Sequence, residues 1–347
     1  MVENRIAKYP FMLEHKSMEE KMNGNIEQYA LSLGFDLVGF TSGKLPQKYI
    51  KAHEKWLEEG YEADMEYMKK PRVNEAKSVI VLGKNYYHDQ PKLKKDNGRI
   101  ARYAYGRDYH KVIGKMLKKL ETYIAEADLE AKTKSYVDTG PVLERAFAEQ
   151  ANLGFIGKNS CLISPEFGSW IFLAVIFTTL NLVGKRHGDT KIVSQEQSAH
   201  AVGGEDVSRK IFNPRAGICN MSCGACTRCI DACPAGAIIA PGVVDARKCI
   251  SYHTIENRNE IPPEIAAQIY KTKRIFGCDI CQEACPHNLA RQKPIKALPP
   301  KIAGDQIPIT QIKTDQEFLE TFAGSPLMRT KRKGLNRNFF FAQRPKR

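Results

Sequence analysis

The apolar positions of the first half of the chain alternate between helical and strand spacing. Ile26, Tyr29, Ala30 and Leu33 recur three and four residues apart and stop at Gly34, which predicts a helix. FDLVGF (35–40) and SVIVLG (78–83) are short apolar runs of strand type. His110, Ile113, Met116, Leu117, Leu120 and Ile124 predict a long amphipathic helix. TGPVLERAFAEQANLG, after Asp138, predicts another, with Pro141 at its first position, an apolar face through Leu143, Phe147 and Ala151, and Gly154 as its stop. WIFLAVIFTTL (170–180) falls short of the roughly 20 residues that cross a bilayer and reads as a buried strand. No membrane association is expected.

These patterns divide the chain. Residues 1–23 carry scattered charges and read as an ill-ordered extension; residues 24–182 mix helices and strands around a central sheet. Residues 183–217 are polar, without sustained period, and read as an insertion or linker. Residues 218–290 hold a cysteine-rich module, and 291–347 form a short, basic, mostly helical region. The expected class is α+β.

Charge adds a direction. Lys and Arg outnumber Asp and Glu by 53 to 39, which favours a polyanionic partner such as nucleic acid. From Pro326 onward there are eight basic residues and no acid, so the terminus is either a solvated basic tail or a phosphate-contacting surface. The start of the chain lacks the apolar core of a secretory signal, and a cytoplasmic protein is expected.

The ten cysteines carry the chemistry. Cys223, Cys226, Cys229 and Cys233, followed by Pro234, have the spacing of bacterial cluster-binding ferredoxins, in which the fourth cysteine serves the other cluster. Cys278, Cys281 and Cys285, followed by Pro286, form a second run without its leading cysteine, and Cys249 supplies the missing ligand. The crossover rule assigns Cys223, Cys226, Cys229 and Cys285 to one 4Fe-4S cluster, and Cys233, Cys249, Cys278 and Cys281 to the other. Structural zinc favours two separate short knuckles instead. Cys161 and Cys219 are left over as free thiols. Two clusters relay single electrons, and the large attached domain implies a second redox centre or a substrate pocket.

With these residues in view, the chain resembles the epoxyqueuosine reductase family. The resemblance is carried by ARYAYGRDYHKV (101–112), VDTGPVLERAFAEQANLGFIGKNSCLIS (137–164), FGSWIFL, CGACTRCIDACPAGAI, DARKCISYHTIENR, RIFGCDICQEACPHN and GSPLMRTKRKGLNRN. It implies an oxidoreductase of queuosine biosynthesis acting on tRNA. It implies a base-off cobalamin between a corrinoid-binding N-terminal domain and a ferredoxin-like double-cluster domain, fed by an external donor such as a flavodoxin or ferredoxin. A monomer is expected.

Asp138 matches the family's proton donor; read alone, it also suits a turn or helix entry. By resemblance Arg107, Asp108, Tyr109 and His110 lie near corrinoid or substrate, although they also suit a helix cap and a solvated face. Lys158, Asn159, Ser251 and Tyr252 are further pocket residues, and Asp279 faces the corrin or the cluster rim. Arg329, Lys331, Arg332 and Arg337 are expected to meet tRNA phosphates. The chain departs from the family in residues 183–217, in Ala174-Val175 where Gly-Glu is common, in His287 where Trp is common, and in ending soon after Asn338. Two other readings are a dehalogenase-like corrinoid reductase and a noncatalytic electron-transfer partner.

Overall fold

A computed structural model describes residues 9–69, 76–138, 140, 142–182, 222–289 and 304–343. The first part of the chain forms α1 (Tyr9–Ser32), β1 (Leu37–Ser42), α2 (Gln47–Glu58), β2 (Ser78–Asn85), β3 (Asn97–Ile100), α3 (Tyr109–Ala127), β4 (Thr133–Tyr136), α4 (Glu144–Gln150), β5 (Phe155–Ile156), β6 (Leu162–Ile163) and β7 (Ile171–Thr178). The later part forms α5 (Arg228–Asp231), β8 (Ile238–Ala240), β9 (Val243–Val244), α6 (Ile250–Ile255), α7 (Pro263–Thr272), β10 (Arg274–Phe276), α8 (Ile280–Glu283), α9 (Pro286–Leu289), β11 (Gln306–Pro308), α10 (Asp315–Phe322) and α11 (Lys331–Ala342). Residues 183–217 and Cys219 lie outside the described residues.

Strands β1, β2, β7 and β4 pair in that order into one antiparallel sheet. Successive side chains of a strand face opposite sides, and β2 shows the result. Ile80 and Leu82 join Ile26 of α1 and Ile113, Leu117, Leu120 and Ile124 of α3 in one core. Val79 and Val81 join Phe147 and Ala148 of α4 in another. The sheet is therefore covered on both faces, which explains why β2 and β7 read as continuous apolar runs.

Two expectations need correction. The first helix begins at Tyr9, with Pro10 in its first turn where no intrahelical N–H is needed, so residues 9–23 are helical rather than an ill-ordered extension. The helix after Asp138 begins at Glu144, not at Pro141, which lies outside the described residues. Leu143 keeps a non-helical ψ of 65°, and Asp138 has a left-handed φ of 50°. The connection is thus a shaped loop that presents Asp138.

Strand β3 does not join the main sheet. It pairs in parallel with β10 of the cysteine-rich module and antiparallel with β11, so one small sheet stitches three regions of the chain together. Gly98 permits this, because a Cβ there would sit 2.6 Å from Ile275 Cγ2. Behind the sheet, α11 packs on the module through Leu335 and Phe339, and buried Asn338 donates to the carbonyls of Thr254 (2.8 Å) and Ile275 (2.9 Å). The C-terminal region is mostly helical, as expected, and completes the module's core.

Two buried polar networks fix the module to the N-terminal domain. Asp279 Oδ2 accepts from the Arg102 backbone N–H at 2.8 Å and pairs with its guanidinium at 3.3 Å, while Glu283 bridges Arg102 (2.7 Å) and Arg274 (2.6 Å). The Arg102 guanidinium also lies 4.7 Å from the centre of the Trp170 ring. Asn288 accepts from the Ser169 backbone N–H at 2.7 Å and donates to Ser169 Oγ at 2.8 Å, and Gln282 accepts from Ser169 Oγ at 2.8 Å. Removing one partner of a buried pair strands the other charge. Arg102→Met should therefore lower stability by about 3–5 kcal/mol, read as a lower denaturant midpoint with little change in slope.

Candidate active site

The cysteines converge in two groups. Cys223, Cys226, Cys229 and Cys285 line one small cavity with Lys158, Asn159, Ile163, Pro286 and His287. Burial, then the other thiolates of this group, push Cys229 up, and Cys285 follows the same pattern through Cys223 and Cys229. Cys249, Cys278 and Cys281 form the second group with Cys233: burial comes first, and Cys233 acts on Cys249, Cys249 on Cys278, and Cys161, Cys278 and Cys249 on Cys281. Among the described residues no three ligating side chains converge on a point that would hold one metal ion. Two sets of four cysteines at this spacing suit cubanes, whose four ligands bind separate irons, better than zinc knuckles.

Backbone amides complete these groups. The Lys158 N–H points at Cys223 Sγ (3.3 Å) and the Ala237 N–H at Cys233 Sγ (3.3 Å), contacts that stabilise charge on cluster sulfur. Gly277, just before Cys278, has φ of 70°, and a Cβ there would come within 2.6 Å of Ala101 Cβ. Only glycine lets the second cysteine run approach the N-terminal domain so closely. The Cys223–Cys229 loop is exposed around Gly224 and Ala225, although Cys229 and Cys285 themselves are buried; Cys233, Cys249, Cys278 and Cys281 are each half-buried.

A different cluster forms where α3 begins. Asp108 caps the helix by accepting from the His110 N–H at 3.1 Å, and its Oδ1 also meets His110 Nδ1 at 2.8 Å. Burial works to raise Asp108, but the His110 hydrogen bonds prevail and hold its carboxyl below the usual range. The Tyr109 hydroxyl donates to Asp138 Oδ2, and its ring stacks on Phe172 at 4.2 Å. His110 Nε2 lies 4.0 Å from the same oxygen. Glu144 Oε1 accepts from the Asp138 backbone N–H at 2.8 Å. Burial first, and the Asp138 carboxylate second, push Glu144 up to about 8. Burial and the charge of Asp138 also hold Tyr103 and Tyr109 well above the usual phenol range, so both stay protonated.

The Asp138 side chain is two-thirds exposed, and its charge is felt at Tyr67 and Arg329. Those two belong to an open hollow of roughly 500 Å³ lined also by Asp64, Met65, Glu256, Arg258, Met328 and Lys331. The hollow lies between the N-terminal domain and the module with its C-terminal helices. It combines apolar surface with donors and acceptors of both signs.

The residues expected from sequence take different places. Asp138, Asp108, Tyr109 and His110 come together, and Arg107 is exposed beside them. Lys158 and Asn159 attend the first cysteine group, with Lys158 Nζ donating to Gly224 O at 2.8 Å. Tyr252 donates to Asp64 Oδ1 at 2.5 Å on the border of the hollow, while Ser251 accepts through its carbonyl from Thr254. Asp279 is committed to Arg102. Arg329 forms a forked pair with Glu256 (2.7 Å), and Arg332 pairs with Asp315 (2.6 Å). Arg337 donates to the carbonyls of Asn259 (2.6 Å) and His253 (2.7 Å), a structural task. Lys331 is exposed and makes no such bond among the described residues.

Comparison with known proteins meets this arrangement directly. Residues 69–139 match the profile described as epoxyqueuosine reductase QueG, DUF1730, and residues 222–288 match a 4Fe-4S double cluster binding domain. The epoxyqueuosine reductase of Gloeobacter violaceus is 38% identical over 328 residues, covering 90% of this chain and 93% of that protein. The one from Cellulophaga algicola is 36% identical over 337 residues, covering 93% and 98%. The chain belongs to the epoxyqueuosine reductase family. Among solved structures, an epoxyqueuosine reductase with an epoxyqueuosine-modified tRNA-Tyr stem loop matches with a TM-score of 0.76 at 26% identity, over 93% of this chain and 81% of that one. The Bacillus subtilis enzyme, with its aspartate catalytic loop swung out of the active site, matches with a TM-score of 0.73 at 28% identity, over the same shares.

In this member of the epoxyqueuosine reductase family, residue patterns alone missed Tyr67, Asp64, Glu256, Arg102 and Glu144. Glu144 stood in plain view in the segment shared with the family, but an acid at a helix start ordinarily serves the helix dipole. Its raised carboxyl has a consequence for stability. The folded state keeps a proton that the unfolded chain releases near 4.5, so stability falls as pH rises from there and levels off above about 8. Glu144→Gln should flatten that slope, measured by denaturant unfolding between those limits.

Proposed function

We infer that this protein reduces epoxyqueuosine to queuosine at the wobble position of tRNA, using cobalamin and two 4Fe-4S clusters. The carrying observation is the position of Asp138, on a left-handed loop held by Tyr109 and Glu144, in a family member whose double-cluster module packs against the same domain. The relative crystallised with a modified stem loop supports the substrate, and the catalytic loop named for the B. subtilis enzyme supports an aspartate acid.

The residues around Asp138 fit a corrinoid. A flat macrocycle fringed with amides needs neutral aromatic walls and a rim of mixed donors and acceptors. Tyr67, Tyr103 and Tyr109 are protonated aromatics, and Asp64, Glu256, Arg258 and Arg329 supply such a rim. These residues, with Asp138, would hold cobalamin. When bound, it supplies the strongly reducing chemistry that breaks carbon–oxygen bonds.

The protein's own groups manage the proton. With Asp138 protonated, Oδ2 accepts from the Tyr109 hydroxyl, which leaves Oδ1 to carry the proton into the hollow. Glu144 holds the loop through the Asp138 amide. The first cysteine group, whose loop is exposed around Gly224, receives single electrons from a flavodoxin- or ferredoxin-type donor, and the second group passes them on. Lys331 at the hollow's edge meets tRNA phosphate, while Arg332 and Arg337 support the helix that carries that edge. The enzyme acts as a cytoplasmic monomer.

Anaerobic turnover of epoxyqueuosine-containing tRNA by reconstituted protein tests this reading, with nucleosides scored by mass spectrometry. Wild type should form queuosine, and Asp138→Asn should lose on the order of 10²–10⁴-fold in rate while retaining both clusters. Absence of conversion by a preparation carrying both clusters and cobalamin would overturn the assignment.

A further inference from the structure

Proton stoichiometry sets a demand that one carboxylic acid meets only if it is reloaded. Converting an epoxide to an alkene breaks two carbon–oxygen bonds, forms one carbon–carbon π bond and releases the oxygen as water. Two electrons enter, one at a time from the external donor through the clusters, and two protons leave with the oxygen. Asp138 carries one proton.

We propose that His110, oriented by Asp108, returns a proton to Asp138 in each turnover; this rests on the reading of Asp138 as the acid. The geometry is a carboxylate, an imidazole and a second carboxyl in series. Asp108 is ionised and can only accept, so the imidazole Nδ1 carries hydrogen in the 2.8 Å contact with Asp108 Oδ1. That fixes the tautomer and turns Nε2 toward Asp138 Oδ2, 4.0 Å away; the proton enters there, and a half-turn of the two-thirds-exposed carboxyl brings it to the side that faces the hollow. The contact is longer than a hydrogen bond, as catalytic contacts often are before substrate closes the site. The Tyr109 ring, 4.1 Å from the imidazole, supports one face of it.

The neighbouring groups leave this role to His110. Tyr103 and Tyr109 are buried phenols held well above their usual range, so neither ionises to take up a proton from solvent. Glu144 meets Asp138 through the Asp138 backbone N–H rather than through the Asp138 carboxyl. His110 is about one-third exposed and sits on the α3 side of Asp138. It can therefore take protons from solvent when cofactor and nucleoside cover the open side. His110 acts through Asp138 and does not itself touch the epoxide.

The test uses full-length, fully reconstituted protein with measured iron and cobalamin content, driven by a chemical reductant and assayed on epoxyqueuosine-containing tRNA. His110→Ala should lower kcat by about 10²-fold with little change in KM for tRNA. Added imidazole should restore much of the rate, in proportion to the protonated imidazole present as pH is varied. Asp108→Asn, which keeps the helix cap, should show a smaller loss and weaker rescue. Wild-type kcat in His110→Ala would overturn the relay, and so would a loss that imidazole fails to restore in protein with full cofactor content. Either result would leave the reductase reading intact provided wild type converts the substrate; failure of wild type would instead remove the reading itself.

Discussion

The pair between Arg102 and Asp279 lies where the two halves of the chemistry must meet. Asp279 is flanked by Cys278 and lies two residues from Cys281, while Arg102 lies just ahead of the helix whose first turn carries Tyr109 and His110. Both side chains are almost fully buried, and Glu283 and Arg274 extend the pair into a network of alternating charge. A charge in such a place is tolerated only while its partner is present, so the pair acts as a strict spacer. It holds the turn that carries Cys278 and Cys281 against the N-terminal domain. Gly277 and Gly98 allow the same approach sterically, and the amide network of Ser169, Gln282 and Asn288 repeats it on the other side of the module.

On the proposed function, electrons and protons enter the site by different routes. Electrons would come through the module's two cysteine groups, and protons from α3 through the polar groups around the exposed Asp138 carboxyl. The left-handed backbone at Asp138 is uncommon for a residue with a side chain, and aspartate tolerates it better than most. Tyr109 and Glu144 each hold one part of that residue, side chain and amide respectively.

What the sequence made legible follows from the range of each interaction. The cysteine spacings are local and chemically unambiguous, and strands β2 and β7 announced themselves because both faces are buried. Asp108 was legible as a cap for the same local reason. Glu144 was not, since its partner is the amide of a residue six positions away across a loop that departs from the expected helix. Tyr67 and Asp64 come from segments with no distinctive pattern, and Glu256, although inside the family segment 245–258, becomes their neighbour only when the C-terminal turn closes on the module. The basic terminus misled in part: Arg332 and Arg337 match the composition of a phosphate surface, yet their guanidinium groups serve Asp315 and two carbonyl oxygens. Composition reports charge, not commitment.

Two cubanes and a corrinoid are proposed to share one site with Asp138. Crystals of the reconstituted protein, measured anaerobically at the iron and cobalt absorption edges, give the direct test. Two separate four-iron sites are expected, one held by Cys223, Cys226, Cys229 and Cys285 and the other by Cys233, Cys249, Cys278 and Cys281, with a cobalt signal beside Asp138. A single iron site, a different division of the cysteines, or cobalt remote from Asp138 would contradict this arrangement.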